Sequence, residues 1–252
     1  MTSTSANTYT TAGEVGRSVT GMFETACRFP LATSDGRDSL AVASGLVLAT
    51  LVLLRVARAV WPDALAVAAL ALAAVPAVLF AGLLGSILQA DGADPELPEV
   101  GLTSLPIRAG LTVAVVASVY LVGPTVVLLG TVVALQNAAS EGMGRTGVAI
   151  AGTSAMVLAL ALGYALPAAL AAGSRDGLRA ALRVRSLPGL QSGAYFAAWV
   201  GAGVLVVLGW TALGVAGTGT ALAVVAAFWF AYTHLAATRL VQEGVTRANP
   251  HG

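Results

Sequence analysis

Six long stretches of apolar residues dominate the sequence, and the middle of each stretch contains no Asp, Glu, Lys or Arg. A helix needs about 20 residues to cross a hydrocarbon layer about 30 Å thick, and each stretch is about that long. Barrel strands would alternate over about ten residues, and these runs are longer and do not alternate. We therefore predict an all-α fold, a polytopic transmembrane helical bundle with short interfacial helices. The predicted spans are 39–57, 64–90, 109–135, 146–172, 194–214 and 218–238.

The spans divide the chain into three parts. We predict a polar N-terminal segment over residues 1–38, a six-span transmembrane domain over 39–239, and a short polar C-terminal tail over 240–252. Between residues 12 and 29, apolar residues recur every three or four positions, which predicts an amphipathic helix in the membrane interface or against the bundle. Pro30 is expected to end that helix, because the residue before a proline disfavours the helical conformation.

Composition excludes several classes of function. Only 10% of the residues are charged, whereas soluble domains carry about 25%, and a net charge of +1 does not suggest a nucleic-acid partner. One cysteine and two histidines are too few for a metal centre built on these residues. Spans without ionisable residues lack the marks of proton relays and coupling sites, so we expect no enzyme activity and no cofactor. We interpret His234, near the end of the last span, as an interface residue.

The segment 89–108 between the second and third spans is acidic and contains three prolines. A calcium site needs about six to eight oxygen ligands in a defined cage, and nothing in this segment fixes such a cage. We therefore favour a solvated acidic loop over a metal site. Its carboxylates are Asp91, Asp94, Glu96 and Glu99.

The segment 173–193 between the fourth and fifth spans is basic. Arg175, Arg179 and Arg183 recur every four residues, which predicts that they share one face of a surface helix over 174–186. Two interpretations stay open. The three arginines bind anionic lipid headgroups, each contributing about 1 kcal/mol, or they only set the topology.

Pro76, Pro124 and Pro167 each fall inside a predicted span. A proline removes one helical hydrogen bond, and in a membrane the freed groups find partners in neighbouring helices, side chains or water. We expect Pro124 to kink its span rather than end it, because the stretch before it is about 15 residues and too short to cross. Kinked helices line the substrate paths of some transporters. We favour a structural role, because no polar residue of the sequence is expected to converge on these prolines.

Three short blocks follow one another along the chain. They include Arg28-Phe29-Pro30-Leu31 with Asp35-Gly36-Arg37, then Glu96-Leu97-Pro98-Glu99 with Gly110-Leu111, and finally Tyr164-Ala165-Leu166-Pro167 with Ser192-Gly193-Ala194-Tyr195. In this order the blocks resemble the DUF4013 family of archaeal membrane proteins, over about residues 22–240. The resemblance implies an integral membrane protein without an assigned activity, and it supplies no catalytic residues.

These observations predict a multi-pass protein of the cell membrane with a non-catalytic role, as a scaffold, an assembly partner or an envelope component. Its expected partners are the lipid bilayer, anionic lipid headgroups and another membrane protein. One alternative is a transporter or channel for a small or apolar solute. A weaker alternative is a lipid-acting enzyme that uses the acidic segment.

The arginines predict that both chain termini lie in the cytoplasm. Of the 13 basic residues, all Arg, ten fall on the side of the termini, and the positive-inside rule makes that side cytoplasmic. Single cysteines at Ser3 or Ala248, in a Cys27→Ser background, should escape a membrane-impermeant maleimide added to intact cells. A cysteine at Ser140, in a predicted outer loop, should be labelled. Labelling at either terminal position before lysis would contradict the prediction.

Overall fold

The computed structural model describes residues 7–32, 34–89, 107–141, 145–184, 187, 189–215 and 220–248. Within these residues the secondary structure is helical and includes no strand. The helices in chain order are α1 (Asn7–Ala32), α2 (Ser34–Ala59), α3 (Ala64–Gln89), α4 (Ile107–Glu141), α5 (Arg145–Asp176), α6 (Leu178–Ala181), α7 (Gly193–Val215) and α8 (Thr220–Ala248).

Six of these helices are long and apolar enough to cross a membrane, which confirms the predicted six-span bundle. Each overlaps one of the predicted apolar stretches over most of its length, and the last helix extends furthest beyond its predicted end. The apolar helical segments are Ser34–Ala59, Ala64–Gln89, Ile107–Gln136, Ile150–Asp176, Gly193–Val215 and Ala221–Ala248.

Helix α8 lies at the centre of the bundle. It packs against α7 along its length and also contacts α1, α2 and α3. Half of its apolar stretch is buried, compared with 17–33% in the other five spans. Small residues such as Ala227, Ala231 and Ala236 cover much of its surface, and small side chains allow neighbouring helices to approach closely.

The two larger hydrophobic clusters meet at α8. The first joins α1, α2, α3 and α8 through residues that include Phe29, Leu83 and Leu235. The second joins α4, α5, α7 and α8 through residues that include Val116 and Val241. Because α8 contributes to both clusters, it connects the two halves of the bundle.

Helix α1 lies against the bundle and continues through Pro30 to Ala32. The expectation that Pro30 ends this helix is therefore wrong. Met22, Ala26 and Phe29 are buried against other helices, and this packing offsets the one hydrogen bond that Pro30 removes close to the helix end.

Helix α8 includes residues 240–248, which we had assigned to a polar tail. Leu240, Val241 and Val245 are buried and continue the apolar face of the helix. Charged residues interrupt the sequence of this last part, so it contains no long apolar run that would predict a span.

Helices α3 and α4 cross at very short range beside Gly110. A Cβ atom at Gly110 would collide with the carbonyl oxygen of Val78 and would lie 3.1 Å from the backbone nitrogen of Gly82. Backbone atoms cannot rotate away as a side chain can, so this crossing depends on glycine. Gly123 in the same helix has no atom within 4 Å of its Cβ position.

We expect Gly110→Ala to lower the free energy of unfolding by about 1–3 kcal/mol, because the added methyl group overpacks the crossing. Gly123→Ala is the matched control and should be neutral or stabilising by up to about 1 kcal/mol, the helix propensity difference. Thermal unfolding of the two purified variants in detergent measures the difference. Equal unfolding midpoints would contradict the α3–α4 crossing described above.

Candidate functional site

The segment after α5 is not the continuous helix that the arginine spacing predicts. α5 ends at Asp176, and α6 is a single turn, Leu178–Ala181. Gly177 separates them with a φ of +85°, a left-handed conformation that glycine adopts without steric cost. Its N–H donates to the carbonyl of Gly173 at 3.1 Å, which completes the last turn of α5. The prediction of one helix over 174–186 is therefore wrong, because spacing does not reveal the backbone conformation of one glycine.

The three arginines of this segment consequently belong to different elements. Arg175 lies in the last turn of α5, Arg179 lies in α6, and Arg183 follows α6. All three side chains are exposed. Their binding to lipid headgroups stays a prediction.

A polar cavity of about 700 Å³ opens between α3, α4, α5 and α6. Arg108 from the first turn of α4 and Arg175 from the last turn of α5 both line it. Gln89, at the end of α3, and Asp176 supply further polar side chains. Arg179 does not line this cavity, nor does Arg183. The fold therefore groups Arg175 with an arginine from another segment.

Pro167 creates the second polar feature, which lies between α5 and α7. A proline has no N–H to donate to the carbonyl four residues earlier, which here belongs to Gly163. The indole Nε1 of Trp199, in α7, donates to that carbonyl oxygen at 3.0 Å. A side chain of α7 thus replaces the hydrogen bond that Pro167 removes from α5.

Tyr195, one turn before Trp199 in α7, joins the next pair of backbone groups in α5. Its hydroxyl donates to the carbonyl of Tyr164 at 2.6 Å and accepts from the N–H of Ala168 at 3.2 Å. An α-helix normally pairs these two backbone groups directly. The side chain of Tyr195 is fully buried. We call Pro167, Trp199, Tyr195 and Tyr164 the α5–α7 junction.

Aromatic packing completes this junction. The Tyr164 ring contacts the rings of Tyr195 and Trp199 edge to face, with centroids 5.2 and 5.3 Å apart. Its hydroxyl donates to the carbonyl of Leu190 at 2.6 Å, in the segment that leads into α7. The expectation that no polar residue converges on the prolines is therefore wrong at Pro167.

The other two prolines also lie inside helices. Pro76 is within α3, and Pro124 is within α4, which continues to Glu141. Pro124 therefore does not end its span. That the three prolines kink their helices stays a prediction.

A cluster of charged side chains at the end of α8 was missed by the sequence analysis. Arg239 and Glu243 are buried, and their Nε and Oε1 atoms lie 3.4 Å apart. Arg239 also donates to Oε1 of Gln242 at 2.6 Å, and Arg247 lies 3.3 Å from Oε2 of Glu243. The guanidinium carbon of Arg239 is 5.6 Å from the centroid of the Phe29 ring in α1. The spacing of three and four residues between these groups was the signal that could have revealed the cluster.

His234 packs inside the bundle. Its Nδ1 atom lies 2.8 Å from the carbonyl oxygen of Phe230, and the two rings stack with centroids 3.9 Å apart. Phe80 of α3 contacts the same histidine ring edge to face. His234 thus fills a position in the aromatic core between α3 and α8.

In the part of the chain that the structure describes, no three His, Cys, Asp or Glu side chains are grouped so that they could hold a metal ion. The acidic segment predicted as a solvated loop has its four carboxylates outside the described residues. The site features are therefore the polar cavity, the α5–α7 junction and the charged end of α8.

A family model described as "Protein of unknown function (DUF4013)" matches residues 65–225. The matched region runs from α3 into α8 and contains both the polar cavity and the α5–α7 junction. It is shorter than the region of resemblance predicted from the sequence. No curated protein and no solved structure matches this chain.

We expect Trp199→Phe to lower the free energy of unfolding by about 1–2 kcal/mol, because the Gly163 carbonyl loses its partner where no water replaces it. Pro167→Ala restores a backbone N–H for the same carbonyl. In the Pro167→Ala background, Trp199→Phe should therefore cost about 1 kcal/mol less, a coupling that a double-mutant cycle measures.

Trp210→Phe controls for the loss of an indole ring, because Trp210 lies in the same helix and is exposed. Its effect should not depend on the residue at position 167. If Trp199→Phe costs the same in both backgrounds, then Trp199 does not replace the missing hydrogen bond.

Proposed function

We propose a non-catalytic role in the membrane for this chain, which belongs to the DUF4013 family of proteins of unknown function. In this proposal it serves as a scaffold, an assembly partner or an envelope component of the cell membrane. Both termini lie in the cytoplasm, and the arginine-rich face of the bundle meets the headgroups of the inner leaflet.

The observation that carries the proposal is the hydrogen bonding of the tyrosine hydroxyls. Each tyrosine whose side chain the structure describes donates to a backbone carbonyl oxygen of another segment. A hydroxyl that binds a solute or transfers a proton must be available to it, and these hydroxyls instead join parts of the fold. The bonds are Tyr120 to Ala181, Tyr164 to Leu190, Tyr195 to Tyr164 and Tyr232 to Cys27, at 2.6–2.8 Å.

The buried charges support the same interpretation. Arg239 and Glu243 interact with each other and with side chains one turn away, in the same helix. Breaking such a pair leaves an uncompensated buried charge, which typically costs about 3–5 kcal/mol. Removal of either partner should therefore destabilise the packing of α8.

The lipid bilayer is the first partner in this proposal. Between Leu121 and Gln136, almost all side chains of α4 are exposed, and most of them are apolar. The same holds for α5 between Ile150 and Ala161. In a bilayer, surfaces of this composition contact acyl chains at no cost in unsatisfied polar groups.

A transporter or channel for a small solute is the second candidate, and the α5–α7 junction favours it. Transporters bind substrates and ions with backbone groups that broken helices leave free, and Pro167 leaves a backbone carbonyl of α5 without its helical partner. The lipid-acting enzyme is a weaker candidate, because it depends on carboxylates that lie outside the described residues.

We expect proteoliposomes that contain the purified chain to show no more flux of glycerol, urea or monovalent ions than protein-free vesicles. Chemical cross-linking in native membranes, followed by native mass spectrometry in mild detergent, should recover the chain in a complex of constant stoichiometry. Flux that increases with the protein-to-lipid ratio and changes in Pro167→Ala would instead support the transporter. Flux together with a purely monomeric chain would overturn the proposed role.

A further inference from the structure

The polar cavity brings together two cations that are far apart in the sequence. Arg108 lies in the first turn of α4, and Arg175 lies in the last turn of α5. Neither makes an ion pair with another residue that the structure describes. From this arrangement we propose that the cavity binds a phosphate group, which comes either from an anionic phospholipid headgroup or from a soluble phosphate ester.

The chemistry of the lining favours an anion. A guanidinium presents several N–H donors in one plane, and these match two phosphate oxygens at once. Among the lining residues that the structure describes, two guanidinium groups accompany one carboxylate, Asp176, so this part of the lining carries excess positive charge. Gln89 adds an amide that donates hydrogen bonds.

The start of α4 adds to this positive potential. The first two turns of this long helix line the cavity through Arg108, Ala109 and Thr112. The first N–H groups of a helix have no partner within it, and the helix dipole favours negative charge at that end. The helix end and the two arginines are independent features that favour the same ligand.

Size and position fit the same ligand. A cavity of about 700 Å³ lies inside the range of about 300–1,000 Å³ that is common for small-molecule sites. It opens where α3 ends, α4 begins and α5 ends, so it lies at one end of three membrane helices, the level of lipid headgroups. Leu178 gives its rim an apolar contact for the glycerol part of a lipid.

The test measures binding to the purified full-length chain in a neutral detergent. The probes are inorganic phosphate, glycerol 3-phosphate and short-chain phosphatidylglycerol, and short-chain phosphatidylcholine serves as the zwitterionic comparison. Arg108→Gln and Arg175→Gln should each weaken binding of the anionic probe about tenfold, and the double variant about 100-fold. Asp176→Asn should strengthen it several-fold.

Arg179→Gln and Arg183→Gln are matched controls, because both arginines are exposed in the same segment but do not line the cavity. Each should change the affinity less than twofold. Arg108→Lys keeps the positive charge and should retain more affinity than Arg108→Gln. This difference shows that the loss in Arg108→Gln comes from the missing charge and not from misfolding. The unfolding midpoint of each variant without ligand shows whether it is folded.

Binding of phosphatidylglycerol alone identifies a lipid headgroup as the source, and binding of glycerol 3-phosphate as well shows that the phosphate group suffices. Either result supports the proposal if Arg108→Gln and Arg175→Gln weaken binding while the two control variants do not. Equal losses in all four arginine variants would show diffuse surface attraction and overturn it. Binding of none of the anionic probes would also overturn it.

Discussion

The hydrocarbon interior offers no water, so each backbone group within it needs a partner from the protein. Pro167 leaves backbone groups of α5 without their helical partners, and Trp199 and Tyr195 of the α5–α7 junction supply the missing hydrogen bonds. The backbones of α5 and α7 approach each other at few points, so these long aromatic side chains form the main connection between them. Because α5 pairs with α4 and α7 pairs with α8, one proline and its two partners help to join the α4–α5 pair to the rest of the bundle.

The charged end of α8 follows the same rule at a different place. Arg239, Gln242 and Glu243 are buried, yet their spacing along one helix allows Arg239 to interact with both Gln242 and Glu243. The Phe29 ring of α1 covers the guanidinium group, so the cluster also fixes α1 against α8. The charged side chains at this end of α8 therefore serve the packing of the bundle.

The sequence sufficed to predict the six spans, because span length and absence of charge depend on local composition alone. It did not suffice at Gly177, where one left-handed residue separates Arg175 from Arg179 despite their helical spacing. The sequence also did not suffice for Trp199 and Tyr195 of α7. Their partners lie about 30 residues earlier, so only the tertiary structure shows that they bond to α5. Two signals could have suggested these hydrogen bonds. Pro167 leaves a carbonyl of α5 without its helical donor, and two aromatic side chains with donor groups lie four residues apart in the next span.

The cavity could not be predicted either, because its two arginines come from different helices, but the structure explains how α6 is held in place as one of its walls. The four-residue helix α6 is too short to be stable alone. The Tyr120 hydroxyl of α4 donates to the carbonyl of Ala181 at 2.8 Å, and Ala181 packs beside Gly173 of α5. These contacts hold α6 against both α4 and α5, so that wall of the cavity is formed before any ligand arrives. A preformed site loses little conformational freedom on binding, and more of the attraction between guanidinium groups and an anion is then available as affinity.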